Sequence, residues 1–409
     1  MAAPQTLYPA RFGRPIMFTG LVVLILGGFV GVERMLQYQG VSLGVIDALS
    51  PLFRIHWFLM IYGFLLSLIS LEILALLSFE WSGRVAGSIY RLIYLFLLWL
   101  SFLLLIAGYL DLSLLITSSI LILVTIYAFR TFLTPSRLGF KPTYYNFLLT
   151  ASPGIGAAII LPWVFTRHAT GSVLYEISLA SLAFPTASII AVESRDIPLL
   201  LGGSAGRSSA GRSPVTGYVL LVSGIFLFSL NTSLPIRSIG GLLAIAGAVS
   251  ALLGSGLLRS LLHGVGRGIV PRHMANYSAI HLVTAFSWLI AGGALMFASP
   301  LALESTANLR DLLIHAISLG FIFNIIFGVD AVLMYSHMGI SLRKAPKPSY
   351  IPYVLLNLSL ILRAVYDITG YIGITTLSTP LTGLSVIFFF ALHNIRIMKL
   401  RKELAQVAN

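Results

Sequence analysis

"HAISLGFIFNIIFGVDAVLMYSH", His315 to His337, is an almost unbroken apolar run with an imidazole at each end and a carboxylate, Asp330, near its close. The two histidines stand about 33 Å apart along a helix, a little more than the ~30 Å of hydrocarbon in a bilayer. It is too long for a strand and lacks the alternation of an outer-membrane barrel. Read as a membrane-spanning helix, it sets the fold class, and the whole chain agrees. Hydrophobic residues make up 57% of 409 positions, charged residues 10%, and mean hydropathy is +0.95. Soluble domains carry about 25% charge. The expectation is an all-α, polytopic integral membrane protein.

Twelve spans are expected, at Pro15–Val32, His56–Ser78, Leu92–Leu110, Leu112–Phe129, Tyr145–Phe165, Val173–Val192, Val215–Leu234, Ile239–Leu258, Tyr277–Phe297, Asp311–Tyr335, Ile351–Tyr371 and Pro380–Met398. Only Asp111 divides the third from the fourth. The first span follows Arg11 and Arg14 as a signal peptide would, but no small-residue cleavage site follows it, so it is read as a retained helix. With twelve spans, Lys and Arg total 20 on the side that carries both termini and 5 on the other. The positive-inside rule then places both termini in the cytoplasm of a cell-membrane protein. The net charge of +13 is accounted for by anionic lipid at that face, with no need for nucleic acid.

The Gly/Ser/Arg-rich stretch Glu193 to Pro214 reads as a flexible cytoplasmic linker. It divides an N-terminal six-helix half, 1–192, from a C-terminal six-helix half, 215–409. The absence of cysteine excludes disulfides, iron–sulfur clusters and covalently attached haem c. Any metal must sit on histidine, methionine or carboxylate.

Depth then sorts the histidines. His56, at the start of the second span, and His315, near the start of the tenth, fall at the outer boundary at matching depth. His168 lies in an outer loop. His337, His281, His393, His263 and His273 fall at the inner side. At 3.6 residues per turn, His315 and His337 are separated by only about 40° in azimuth, so one helix face would serve both levels. Two imidazoles from different helices at one depth can hold a haem between them. Gly63, on nearly the same face as His56, would leave room for the ring. Imidazoles simply tolerated at the interface would give the same pattern.

Several motifs, in chain order, resemble the NnrS family of polytopic membrane proteins, which are associated with haem, copper and the nitric oxide response. They are "IHWFLMIYGF" and "FEWSGR" (His56, Gly63, Trp81, Ser82, Gly83, Arg84), "IHLVTAFSWLIAGGAL" (His281, Trp288), "IHAISLGF" with "LMYSHMG" (His315, Ala316, Gly320, His337, Gly339) and "LILRAVYDI" (Arg363). The resemblance implies haem b on His56 and His315, with Arg363 and Gly63 beside it. It also implies copper as a possible inner metal, at His337 with His281 or His393. A small gas ligand such as nitric oxide, and a quinone or redox protein, are the implied partners beyond the lipid bilayer. The chain departs from the family's second helix, where His-x-His and Glu are usual: Phe58 and Leu59 stand in those places. It also lacks the clustered His-His and His…Tyr pattern of haem-copper oxidases, so haem is implied more strongly than oxygen reduction.

Charges inside spans are costly, about 2.5–3.5 kcal/mol at a helix centre. Glu72, Asp330, Arg363 and Asp367 are such charges. Arg363 either pairs with Asp367 at i, i+4 or faces a haem propionate. Glu72 has no partner on its own helix, which makes it, with Asp330, a proton-carrier candidate; a hydrogen bond to a neighbouring helix is the alternative. "GGLLAIAGAVSALLGSG", Gly240 to Gly256, reads as close helix packing. "GVGRG", Gly264 to Gly268, lacks the strand and helix of a phosphate loop. Two other functions stay open: a proton-coupled secondary transporter using Glu72, Asp330 and Arg363, and a cofactor-free assembly protein.

Overall fold

In lipid, a chain of continuous Leu, Ile, Phe and Ala runs satisfies its backbone N–H and C=O groups by the helix's own ladder. A computed structural model of the protein describes residues 8–37, 55–166, 171–201, 213–230, 233–265, 270–300, 307–337, 340–343 and 345–408, and these are helical apart from short connections. No strand occurs among them.

Among the described residues, eleven helices are long and apolar enough to cross a membrane. They are α1 (Tyr8–Gln37), α2 (His56–Ser82), α3 (Ser88–Ile106), α4 (Leu110–Phe132), α5 (Tyr144–Thr166), α6 (Glu176–Leu201), α8 (Leu234–Gly254), α9 (Arg272–Ala298), α10 (Leu309–Ser336), α11 (Ile351–Thr369) and α12 (Thr375–Ala408). The remaining apolar helix, α7 (Ser213–Ser229), is shorter. Its apolar part would cover about 24 Å, less than the hydrocarbon thickness. The twelve expected spans therefore appear as eleven of full length and one short one.

Two boundaries differ from the sequence reading. The third and fourth spans separate at Gly108, whose φ of 85° only glycine adopts without strain, and Asp111 already lies in the first turn of α4. The sixth span does not end at Val192. Its helix continues through Pro198 to Leu201 and buries Glu193, Ser194 and Asp196. The start of the expected flexible linker is thus packed helix, and 202–212 lie outside the described residues.

Packing separates the chain into two units, Met1–Val192 with Val215–Gly247, and Glu193–Pro214 with Ala248–Asn409. This differs from the expected division into halves, because α7 and most of α8 join the first unit. Within that unit, glycines set the helix spacing. A Cβ at Gly224 would meet the Ala244 amide at 2.5 Å, and one at Gly240 the Phe228 amide at 2.7 Å, so α7 and α8 touch backbone to backbone. The small-residue run does what its composition predicts. Tyr62 of α2 donates to Ser181 Oγ at 2.7 Å, and Ser152 of α5 bonds the Tyr218 hydroxyl at 2.9 Å. The second unit pairs α9 with α10 and α11 with α12.

Burial singles out three helices. The apolar windows of α2, α6 and α10 are 78%, 89% and 83% buried, whereas the other full-length spans run from 22% to 56%. These three are every fourth span, and all the expected intramembrane carboxylates except Asp367 lie on them.

Candidate functional site

α2 and α10 share a second property: every π-helical segment among the described residues is on one of them. In α2 these are Leu59–Leu65 and Glu72–Leu76, and in α10 Ala316–Phe323 and Ile326–Asp330. A widened turn releases carbonyls from the regular ladder, and side chains take them up. Ser67 Oγ donates to the Gly63 carbonyl at 2.7 Å, Ser318 Oγ to that of Ile314 at 2.8 Å, and Asn324 Nδ2 to that of Gly320 at 2.8 Å. The π turns also overturn the azimuth argument for His315 and His337, which assumed an unbroken 3.6-residue period. His337 closes the last helical segment of α10, and its side chain lies outside the described residues.

In the first unit, His56 opens α2 and lies against α1. Its Nδ1 is 2.8 Å from the Gly27 carbonyl oxygen, and a Cβ on Gly31 would stand 2.9 Å from the ring. The seat of His56 is thus Gly27 and Gly31, one turn apart on α1. Sequence reasoning missed this pair; the Gly-x-x-x-Gly spacing in "GGFVG" was its signal. Gly63 was expected to leave room for a ring beside His56, but that space is filled: a Cβ there would collide with Val23 and meet Phe102 at 3.2 Å. Gly63 lets α1 approach α2. Glu72 starts the second π segment and is half-buried. It interacts with other groups in the folded chain.

In the second unit, His315 closes the first helical segment of α10, with Nδ1 2.8 Å from the Asp311 carbonyl oxygen and 3.5 Å from Asp311 Oδ1. Arg363 of α11 reaches the same residue: Nε and Nη2 contact Asp311 Oδ2 at 2.8 Å and 2.6 Å. The expected pairing of Arg363 with Asp367 is therefore replaced by one between helices. An aspartate C-terminal to its cation is the weaker i, i+4 order, and Asp311 takes two N–H donors on one oxygen. Asp367 is 5% exposed and neither of its oxygens has a hydrogen-bond partner. Asp311 was assigned no role from the sequence because it was read as the boundary of a span.

At the opposite end of the same unit lie His281 and His393. A Cβ on Gly328 would meet His281 Cγ at 2.8 Å, so the π segment of α10 packs directly on that imidazole. Gly320 likewise admits Trp288, whose indole donates to Asn357 Oδ1 at 3.1 Å. His393 Nδ1 is 2.8 Å from the Phe389 carbonyl oxygen. Asp330 is half-buried and within electrostatic reach of Glu193, which itself faces Asp196. The candidate proton carrier thus belongs to a group of carboxylates whose α6 members were read as loop. His168 lies outside the described residues, as does the side chain of His263. Among the described residues no three His, Asp or Glu side chains converge as a metal would require.

Residues 206–397 match a family model described as a domain of unknown function (DUF8744). The DUF8744 match takes in α7 to α11 and most of α12, with His281, His315, Asp311, Arg363 and His393, and leaves out His56 and α2. No curated protein matches the chain.

Proposed function

We propose that this chain is a haem-binding integral membrane protein of the NnrS type, with His56 and His315 as axial ligands, acting in nitric oxide handling or membrane redox chemistry. The observation that supports this best is the likeness of α2 and α10. Both carry an imidazole at the start of their apolar run whose Nδ1 lies on a backbone carbonyl, and both are wound with π turns, which gather at functional sites. A carbonyl on Nδ1 fixes that nitrogen as the donor and turns the Nε2 lone pair toward a metal. Each histidine is thus held by Nδ1 as a haem ligand would be, whereas the expected cradle at Gly63 is filled by Val23.

Haem b, when bound, supplies a reversible one-electron centre and a coordination position for a small gas. The chain's own residues set its surroundings. Asp311 holds His315 by its carbonyl and adds a carboxylate near the same nitrogen, which fixes the orientation of the ring. Arg363 spends two of its five N–H donors on Asp311, and the others suit a propionate. Protein purified from haem-replete cells is expected to show a Soret band that sharpens on reduction. A colourless preparation would refute the reading.

The same proposal includes twelve crossings, with α7 as the short one, and both termini in the cytoplasm, on the strength of the 20-to-5 charge asymmetry. Tags at either terminus should resist an impermeant reagent in intact cells; labelling of one tag alone would mean an odd number of crossings, and labelling of both an inverted orientation. A second reading, a proton-coupled transporter, is favoured by the grouping of Glu193, Asp196 and Asp330. Substrate-dependent acidification of proteoliposomes by a haem-free preparation would select it.

A further inference from the structure

Four side chains of the second unit are buried more thoroughly than their chemistry allows. Tyr277 and His281 of α9, Tyr335 of α10 and His393 of α12 are each at most 1% exposed. Five of their polar atoms, Tyr277 Oη, Tyr335 Oη, both ring nitrogens of His281 and His393 Nε2, have no hydrogen-bond partner among the described residues. A single buried polar group left unmatched costs about 1–3 kcal/mol. Five would cost about as much as the 5–15 kcal/mol that hold a whole domain together. The backbone and side chain of Asn324 approach His281 closely enough to act on it as hydrogen-bonding groups but without hydrogen-bond geometry, and the Asn324 amide is committed to the Gly320 carbonyl and to Asn357.

The atoms belong to one cluster. The rings of Tyr277 and His281 are 4.4 Å apart between centroids, and those of Tyr335 and His393 are 6.5 Å apart. His281 and His393 lie within electrostatic reach of each other, as do Tyr277 and Tyr335. Arg396 acts on Tyr277, Tyr335 and His393 and is itself anchored by an Nη1 bond to the Lys347 carbonyl at 2.9 Å.

We propose that Tyr277, His281, Tyr335 and His393 bind internal water and form a proton relay at the His337 end of the second unit. This does not rest on the haem reading. The occupant must both donate and accept. His393, with Nδ1 donating to Phe389, presents a lone pair at Nε2; neutral His281 presents one donor and one acceptor; the two phenols bring donors. The guanidinium of Arg396 opposes a cation, and the imidazole lone pairs oppose an anion. Water meets every group, and polar buried sites of this kind are where it is found. Close ring packing favours so small an occupant: Phe327 and Phe389 stack at 4.2 Å and Tyr353 lies 4.6 Å from His281.

The same inventory passes protons. His281 takes a proton on one nitrogen and gives up the proton of the other, ending as its opposite tautomer, and rotation of the ring restores the first arrangement for the next proton. A phenol accepts on its oxygen as it releases its own proton. No electron moves, and one proton is displaced per cycle. His393, tied through Nδ1, gains and returns a proton at Nε2 and serves as a terminus. Tyr335 is in the last turn of α10, next to exposed Ser336, which puts the solvent end there.

Radiolytic hydroxyl labelling of the purified full chain tests the water. Tyr277 and Tyr335 are expected to be oxidised readily, and the equally buried Tyr62 and Tyr94, which bond Ser181 and Ser67, to be spared. Labelling of all four at the same low rate would overturn the proposal. The sign of a stability change tests it again: Tyr277→Phe with Tyr335→Phe should lower Tm if the hydroxyls hold water, and a raised Tm would mean a dry cluster. For the relay, potential-driven proton entry into valinomycin-treated proteoliposomes should fall in His281→Leu; equal rates in both proteins would rule it out. Stoichiometric metal that is lost in His281→Leu would replace water with an ion.

Discussion

On the proposal that His315 and His56 ligate haem, replacement of His315 by Ala is expected to abolish the Soret signal, and His56→Ala to do the same. An axial imidazole has no substitute nearby on the same helix, and loss of the Fe–N bond removes the contact that fixes the iron. His337→Ala should leave the haem spectrum unchanged. Most of the length of α10 separates it from His315, and changes that far apart without shared partners add independently. The comparison is made by reduced-minus-oxidised spectra and pyridine haemochrome content, with circular dichroism as the check on folding. Normal haem content in both His315→Ala and His56→Ala would show that neither is a ligand and would end the haem proposal as stated.

Removal of Asp311 should have the largest effect on stability. Asp311→Ala leaves the Arg363 guanidinium, 11% exposed, without its two contacts in the interior of the second unit. Stranding one partner of a buried pair costs about 3–5 kcal/mol. Asp311 is itself 41% exposed, so water already screens the pair, and about 2 kcal/mol is the expectation after that discount. Arg363→Leu should cost less, because Asp311 can turn to solvent. The double variant Asp311→Ala, Arg363→Leu should recover part of the loss, as removal of both charges does in buried pairs. Thermal unfolding of the single and double variants gives the coupling directly; purely additive losses would mean that the pair contributes nothing beyond its separate side chains. Haem retention in Arg363→Leu separates a propionate contact from a purely structural role, since the structural role predicts a lower Tm with an unaltered spectrum and midpoint potential.

The sequence by itself determined that the chain is helical and apolar enough for a bilayer, because hydrocarbon leaves the backbone only helices and closed barrels and the strand alternation of a barrel is missing, and run length then located the long apolar helices, with α7 the short one. It also placed His56 and His315 at the start of their spans, since position along a helix follows from residue number. What lies around those residues was decided by tertiary structure. Gly63 read as a space and proved to be a contact with Val23; Arg363 read as the partner of either Asp367 or a propionate and proved to contact Asp311; Glu193 and Asp196 read as linker and proved to be buried helix. In each case the missing term was the neighbouring helix, which a pattern of residues along one chain does not specify. The π turns had the same effect, since they are held by side chains such as Ser67 and Asn324 bonding released carbonyls, and they rewind the helix faces on which any azimuth argument depends. The Tyr277, His281, Tyr335 and His393 cluster draws on α9, α10 and α12, whose members are far apart in sequence, and only folding brings their polar atoms to one place.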